Sequence, residues 1–363
     1  MTPMEDMRDG PTQQPAANYC SPQAWERERH GAFADNWVFA GFRQDLAQPN
    51  DYLSFTIGGL PVIVRNMKGR LVAFRNVCSH RHSIIHPFGR GNDKFRCCFH
   101  GWTYDADGVP IGIPHNAKSF GFDLDGKKEL ALEQFAVDSC GNFVFVRIAK
   151  EGPALDEWLG AFAAPLGQIS TVFDDIYARL DQSWTCNWKT PMDTMLVYRD
   201  YPEARGMAAP GVAVGESRLE KQGRHIAIHA PLPSGTRRHL ESCARRLKLR
   251  RNPTLSGYDR FFIYPNLAIS TDYGINALIA RYEPAGAATT RFESWLLTGQ
   301  PERPGLRGGP VWKAVTEHWE QFARAVLDDF RILCENRQAG AAAGPGDEIS
   351  DRAPGDGAQA NAA

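Results

Sequence analysis

Apolar and polar positions alternate with a period of two through YLSFTIGGLPVIVRNMKGRLVAFRNV, broken at Gly58-Gly59 and Lys68-Gly69. That pattern predicts antiparallel strands joined by tight turns. Strand signals continue to FVFVRIA at 143–149, so residues 37–149 read as a small β domain. Ahead of it, Ser21 followed by Pro22 opens a helix that should run to about His30. Between 151 and 180 the pattern is mixed and helix-leaning, and HIAIHAPL, YDRFFIYPNLAIS, NALIARYEPA and TRFESWLLTG then read as strands. Val311, Val315, Phe322, Val326, Phe330 and Leu333 recur at helical spacing and predict one long helix over 309–338, ended by Gly340.

These boundaries give four segments. Residues 1–20, rich in Pro, Gln, Asp and Ala, are expected to be disordered; 21–150 form the β domain with its leading helix; 151–338 form an α+β domain; 339–363 are a flexible Ala/Gly/Pro tail. No internal repeat is visible. A length of 363 residues, 43% hydrophobic and 23% charged, fits two soluble globular domains. A net charge of -1 gives no electrostatic case for nucleic acid or a membrane surface as partner. The absence of a run of about twenty apolar residues, together with a polar N-terminus, sets the expectation of a cytoplasmic protein. Of eight cysteines, six (Cys20, Cys98, Cys140, Cys186, Cys243, Cys334) are scattered without a disulfide framework.

The other two carry the chemistry. Cys78-x-His80 and Cys97-x-x-His100 each set one thiol and one imidazole on a short loop, with sixteen residues between the pairs. Zinc accepts two Cys and two His as well, but such sites more often carry a Cys pair and then a His pair. Repeating Cys-then-His lets two thiolates hold one iron and two imidazoles the other, the ligation of a Rieske [2Fe-2S] centre. Gly101 follows the last ligand, and Gly91 and Gly108 are expected at turns. His82 and His86 are expected as loop or surface residues, and Cys98 as a filler.

GRLVAFRNVCSH, CSHR and CCFHGWTYDADG resemble the Rieske domain of the ring-hydroxylating oxygenase alpha subunits, with Cys98 at a usual Pro and His82 at a usual Gly. Strands around a long C-terminal helix, and IYPNLAIS, are similar to the helix-grip (START-like) catalytic domain of the same family, so the resemblance spans about 22–338. It implies an α+β chain with an all-β Rieske domain followed by an α+β catalytic-type domain. It also implies a second centre, one non-haem Fe(II) held by two histidines and a carboxylate.

Here the chain departs from the family it resembles. On the register of Asn187-Trp188-Lys189 and Met192-Asp193, the two iron histidines correspond to Asp200 and Arg205, and the aspartate that links a neighbour's cluster to the iron corresponds to Val197. The carboxylate is kept as Asp329 in VLDDFRILCE. Arginine stays protonated and offers no lone pair, and no histidine lies between 116 and 224 to restore the pair by a shift of register. A mononuclear iron is therefore expected to be absent, with Arg205 paired to Asp329 or Asp200 in the emptied pocket.

Three functions follow as expectations. The first is an alpha-like subunit whose cluster passes electrons to an active alpha-type subunit in a trimer-based hetero-oligomeric ring, fed by a reductase or ferredoxin, for hydroxylation of an aromatic or other hydrophobic compound. The second is a self-sufficient mono- or dioxygenase with atypical ligands such as His225 or His229 beside Asp329. The third is an electron carrier alone, which leaves the second domain without a use. A ligand role for His225 and His229 is disfavoured because they lie two pleats apart on a strand, and His239 and His318, each isolated, are expected at the surface or in hydrogen-bonded roles.

Overall fold

The structure, a computed structural model, describes residues 17–198, 217–250, 254–303 and 305–343. The described chain opens in α1 (Ala17–Cys20), inside the segment expected to be disordered. There the Lys189 ammonium donates to the Asn18 carbonyl at 3.1 Å and Gln338 donates to the Tyr19 carbonyl at 3.0 Å. Helix α2 (Pro22–Glu28) starts as predicted, its Ser21 hydroxyl accepting from the Ala24 amide.

The strands β1 (Val38–Phe42), β2 (Asp51–Ile57), β3 (Leu60–Met67), β4 (Arg70–Arg75) and β5 (Gly89–Asn92) come next. The short pair β6 (Thr103–Tyr104) and β7 (Pro110–Gly112) follows, then α3 (Asn116–Ser119), α4 (Leu124–Glu129), β8 (Gln134–Cys140) and β9 (Phe143–Arg147). Seven of these strands form one antiparallel sheet in the order β1-β9-β8-β4-β3-β2-β5. The turns at Gly58-Gly59 and Lys68-Gly69 have the positive φ that glycine relieves. Gly91 is a correction: it lies within β5, where an added Cβ would stand 2.8 Å from the Tyr52 ring. Close approach, not a turn, requires glycine there.

Beyond α5 (Leu155–Leu159) and α6 (Ala163–Val172), a second antiparallel sheet is built on β10 (Phe173–Trp184), with α7 (Lys189–Tyr198) after it. Its other strands are β11 (Arg218–Gln222), β12 (His225–Ala230), β13 (Tyr258–Ile263), β14 (Leu267–Asp272), β15 (Asn276–Gly286) and β16 (Thr289–Gly299), in the order β10-β16-β15-β14-β13-β12-β11. Helix α8 (Ser234–Leu247) separates β12 from β13, and α9 (Pro310–Ala343) closes the fold, five residues into the expected tail.

One face of this sheet is shared with the first domain. Phe39, Phe42, Phe143 and Phe145 interlock with Phe261, Ile269, Trp295 and Leu297 in a single core. The Asn266 side chain adds a two-point bond to β1, accepting from the Phe39 amide at 2.9 Å and donating to its carbonyl at 3.1 Å. The PNL signature is thus a fastener between domains. The other face packs Leu278, Phe262, Tyr282 and Leu296 against Met192, Met195 and Leu327 of α7 and α9. The buried stripe of α9 is Trp312, Thr316, Trp319, Leu327, Leu333, Cys334 and Gln338, whereas Val311 and Phe322 of the predicted stripe are exposed. The two tryptophans pack with Leu240, Cys243, Ala244 and Leu247 of the Ser234–Leu247 helix, which turns Trp312 and Trp319 inward in place of Val311 and Phe322.

Candidate metal centre

The two cluster loops are near copies of each other. In the first, the Cys78 amide donates to the Ser83 carbonyl at 2.8 Å and the His82 amide to the Cys78 carbonyl at 2.9 Å. In the second, Cys97 donates to the Trp102 carbonyl at 2.8 Å and Gly101 to the Cys97 carbonyl at 3.0 Å. His82 and Gly101 thus hold the same place, and both have positive φ, 55° and 75°. The usual glycine at the His82 position answers a left-handed backbone that a histidine adopts at a cost of about 1 kcal/mol.

Cys78 and Cys97 are buried within hydrogen-bonding reach of each other. The two imidazoles lie outward, ring centroids 4.7 Å apart, with His100 exposed. His80 stacks on Trp102 at 4.8 Å, tilted by only 1°, and meets the edge of Phe120 at 5.5 Å. Among the described residues, no three His, Cys, Asp or Glu side chains are placed to hold one ion. A zinc tetrahedron therefore does not fit, whereas sulfurs paired inside and imidazoles paired outside fit two irons. The Nδ1 atom of His80 is buried without a hydrogen-bond partner. A buried ring nitrogen left so is explained by a bond to a metal. The set Cys78, His80, Cys97 and His100 suits a Rieske cluster, which supplies one-electron transfer when bound.

Sequence reasoning missed the support. The Tyr104 hydroxyl donates to the Cys78 sulfur at 3.0 Å. Burial pushes the Cys78 thiol up, and the Tyr104 hydrogen bond offsets part of that. His86, expected in a loop or at the surface, is 4% exposed. Its main chain is paired with Asn76 through bonds of 3.1 and 2.8 Å, its ring lies 4.5 Å from Tyr52, and Nε2 accepts from Arg65 at 2.9 Å. Burial, with Arg65 beside it, lowers its pKa to about 4, so it is neutral. His82 and Cys98 are exposed, as expected of a loop residue and a filler.

The second site is treated differently by the fold. Asp200 and Arg205 lie outside the described residues, and Val197 is described only as backbone near the end of α7. Asp329 is exposed instead of enclosed. On a helix it lies about 200° from Leu327, which is buried against the sheet. His225 is 5% exposed, with Nε2 donating to the Trp158 carbonyl at 3.1 Å and Nδ1 accepting from the Tyr264 amide at 3.3 Å. One neutral tautomer serves both bonds and leaves no lone pair for a metal. His229 Nδ1 is 2.7 Å from Asp259 of the adjoining strand. His239 and His318 are exposed on α8 and α9.

A cavity of about 350 Å³ opens at the seam between the domains, beside Phe55, Phe88 and Trp295. One ion pair crosses the seam, Asp45 holding Arg179 at 2.7 Å; Asp45 also meets Arg90 of its own domain at 3.6 Å, and Asp181 holds Arg291 within the second domain at 2.6 Å. It reads as a clamp between domains.

Comparison with known proteins agrees with this geometry. The family model for the Rieske [2Fe-2S] domain matches residues 36–136. The carnitine monooxygenase oxygenase subunit of Acinetobacter pittii (strain PHEA-2) is 29% identical over 284 residues, covering 76% of this chain and 73% of that protein. The glycine betaine monooxygenase oxygenase subunit of Pseudomonas aeruginosa is 32% identical over 154 residues, 42% of this chain and 35% of its own length. In fold, a quaternary ammonium Rieske monooxygenase bound to L-carnitine matches with a TM-score of 0.72 at 21% identity, over 90% of this chain and 84% of that one. A naphthalene 1,2-dioxygenase bound to phenanthrene gives 0.67 at 21% identity, over 89% and 80%. With the paired loops and the domain order, these matches show a Rieske [2Fe-2S] domain at residues 36–136 in a chain similar over three quarters of its length to the oxygenase subunits of Rieske oxygenases.

Proposed function

We propose that this chain is an alpha-like oxygenase subunit that delivers electrons through Cys78, His80, Cys97 and His100 to a mononuclear iron in a partner alpha subunit, and that it holds no such iron itself. The observation that carries the reading is the disposition of the ten histidines. Two belong to the cluster loops, and His86 and His225 are buried with their ring nitrogens engaged. His229 is paired with Asp259, and His30, His82, His115, His239 and His318 are exposed; among the described residues, no three metal-ligating side chains converge. A site of two histidines and one carboxylate needs a converging pair, and the remaining candidates at the family register are Asp200 and Arg205.

A ring of subunits packed head to tail has heterologous interfaces, so a chain can keep a donor face while losing an acceptor face. The partner would carry out O2-dependent hydroxylation of an aromatic, quaternary ammonium or other organic compound, with a reductase or ferredoxin as the source of electrons. The relatives named for carnitine, glycine betaine and naphthalene support that range of substrates.

Iron and acid-labile sulfide analysis tests the reading. About two irons per chain is the expected result, and a third iron that binds nitric oxide would overturn it. Co-expression with the partner, with His100→Ala in this chain alone, tests the relay. Turnover should collapse while substrate binding persists, and unchanged turnover means that the partner's own cluster feeds its iron.

A further inference from the structure

The Rieske domain encloses a positive charge that, among the described residues, no carboxylate touches. Arg65 on β3 is 0% exposed. Its guanidinium donates to His86 Nε2 at 2.9 Å, to the Asn50 carbonyl at 3.2 Å and to the Asp93 carbonyl. It lies 4.7 Å over Phe95 and 5.6 Å over Tyr52. Among the described residues no Asp or Glu stands within ion-pair distance of it. Asp93 offers its main-chain oxygen, while its exposed carboxylate accepts from the Lys94 amide at 2.7 Å and acts on the guanidinium only from beyond contact. The neutral His86 adds no compensating charge.

Burying an unpaired cation is expensive, and an apolar side chain would fill the space at less cost. The position of the charge gives it a use. Tyr52 and Phe95 belong to the same enclosed core as Cys78, Cys97, Trp102 and Tyr104. Phe95 stands two residues before Cys97, its ring 5.4 Å from that of Tyr104, whose hydroxyl donates to the Cys78 sulfur. Arg65 is therefore linked to the thiolate side of the cluster through the rings of Phe95 and Tyr104 in turn.

We propose that Arg65 is a positioning charge that raises the reduction potential of the cluster held by Cys78, His80, Cys97 and His100. Reduction adds one electron and makes the cluster one unit more negative, and net charge and environment are what set such potentials. A fixed cation in an enclosed, weakly polarisable core favours that change. Exposed Arg81 and Arg96, closer in sequence, are screened by water and salt. The inference rests on the presence of the cluster. It concerns the driving force for passing an electron onward.

The test is a redox titration of the purified chain, followed by the cluster's electron paramagnetic resonance signal. Arg65→Met should keep the signal and weaken reduction on the order of tenfold, about 59 mV for one electron. Arg65→Lys, which keeps the charge, should stay near the parent potential. His86→Glu, which sets a carboxylate against the guanidinium, should lower it about as far as Arg65→Met. Unchanged potentials in Arg65→Met and His86→Glu, with the signal intact, overturn the proposal. So does failure of both to assemble a cluster while Arg65→Lys assembles one at the parent potential, because Arg65 then serves folding alone. Absence of the signal from the unsubstituted chain would instead be failure of the cluster reading.

Discussion

The cluster loops and the second sheet put histidine to opposite uses. In the loops, His80 and His100 project outward with a buried nitrogen left unpartnered at His80. In the second domain, His225 spends both nitrogens on main-chain groups and His229 faces a buried aspartate. A residue type therefore says little about metal binding until its hydrogen bonds are counted. The loops have kept lone pairs available, and the sheet has turned its histidines into structural fasteners.

The sharpest way to break this contrast is to remove the loop ligands. Cys78→Ser, Cys97→Ser, His80→Ala and His100→Ala should each abolish the Rieske spectrum, since each side chain supplies one of the terminal bonds to the cluster. Zinc in place of iron and sulfide, in iron-replete protein, would falsify this.

A buried neutral histidine provides the next effect. The pKa of His86 falls from 6.5 to about 4 on folding. Above pH 6.5 it is neutral in both states and full stability is present. As pH falls from 6.5 to about 4 the unfolded chain takes up a proton that the folded one refuses, so stability is lost, by about 3 kcal/mol in all. Urea midpoints across that window should fall steeply for the parent and less so for His86→Phe; equal slopes would reject the assignment.

His225→Phe sharpens the other side of the comparison. It leaves the Tyr264 amide and the Trp158 carbonyl unpaired, which should cost about 2 kcal/mol in unfolding free energy. Iron content should not change, and loss of iron would restore His225 as a ligand. The smallest effect is expected at Asp329, which is exposed. Asp329→Asn should alter stability by no more than about 0.5 kcal/mol and leave the iron count as it was. A drop of one iron per chain would show that Asp329 is a ligand.

Much of the first domain was legible because its signals are local. Turns at Gly58-Gly59 and Lys68-Gly69 follow from backbone sterics within a few residues. The second domain was read less fully. Residues 173–180 read as helix-leaning yet form the start of β10, because DDIYARLDQ has one buried flank and one charged one, and α8 has no sequence reading because its buried face, Leu240, Cys243, Ala244 and Leu247, is set among arginines. Their partners lie far along the chain, Trp295 opposite Arg179 in the first case.

The sequence alone determined the candidate cluster ligands and the absence of histidine from 116 to 224, since both depend on residue identity at short spacing. Only the tertiary structure decided that His86 is enclosed beside Arg65, that His225 is satisfied by Trp158 and Tyr264, and that Asp329 turns outward from α9. Burial and hydrogen bonding are properties of the neighbours a fold supplies, and those neighbours come from 21 to 67 residues away in the chain.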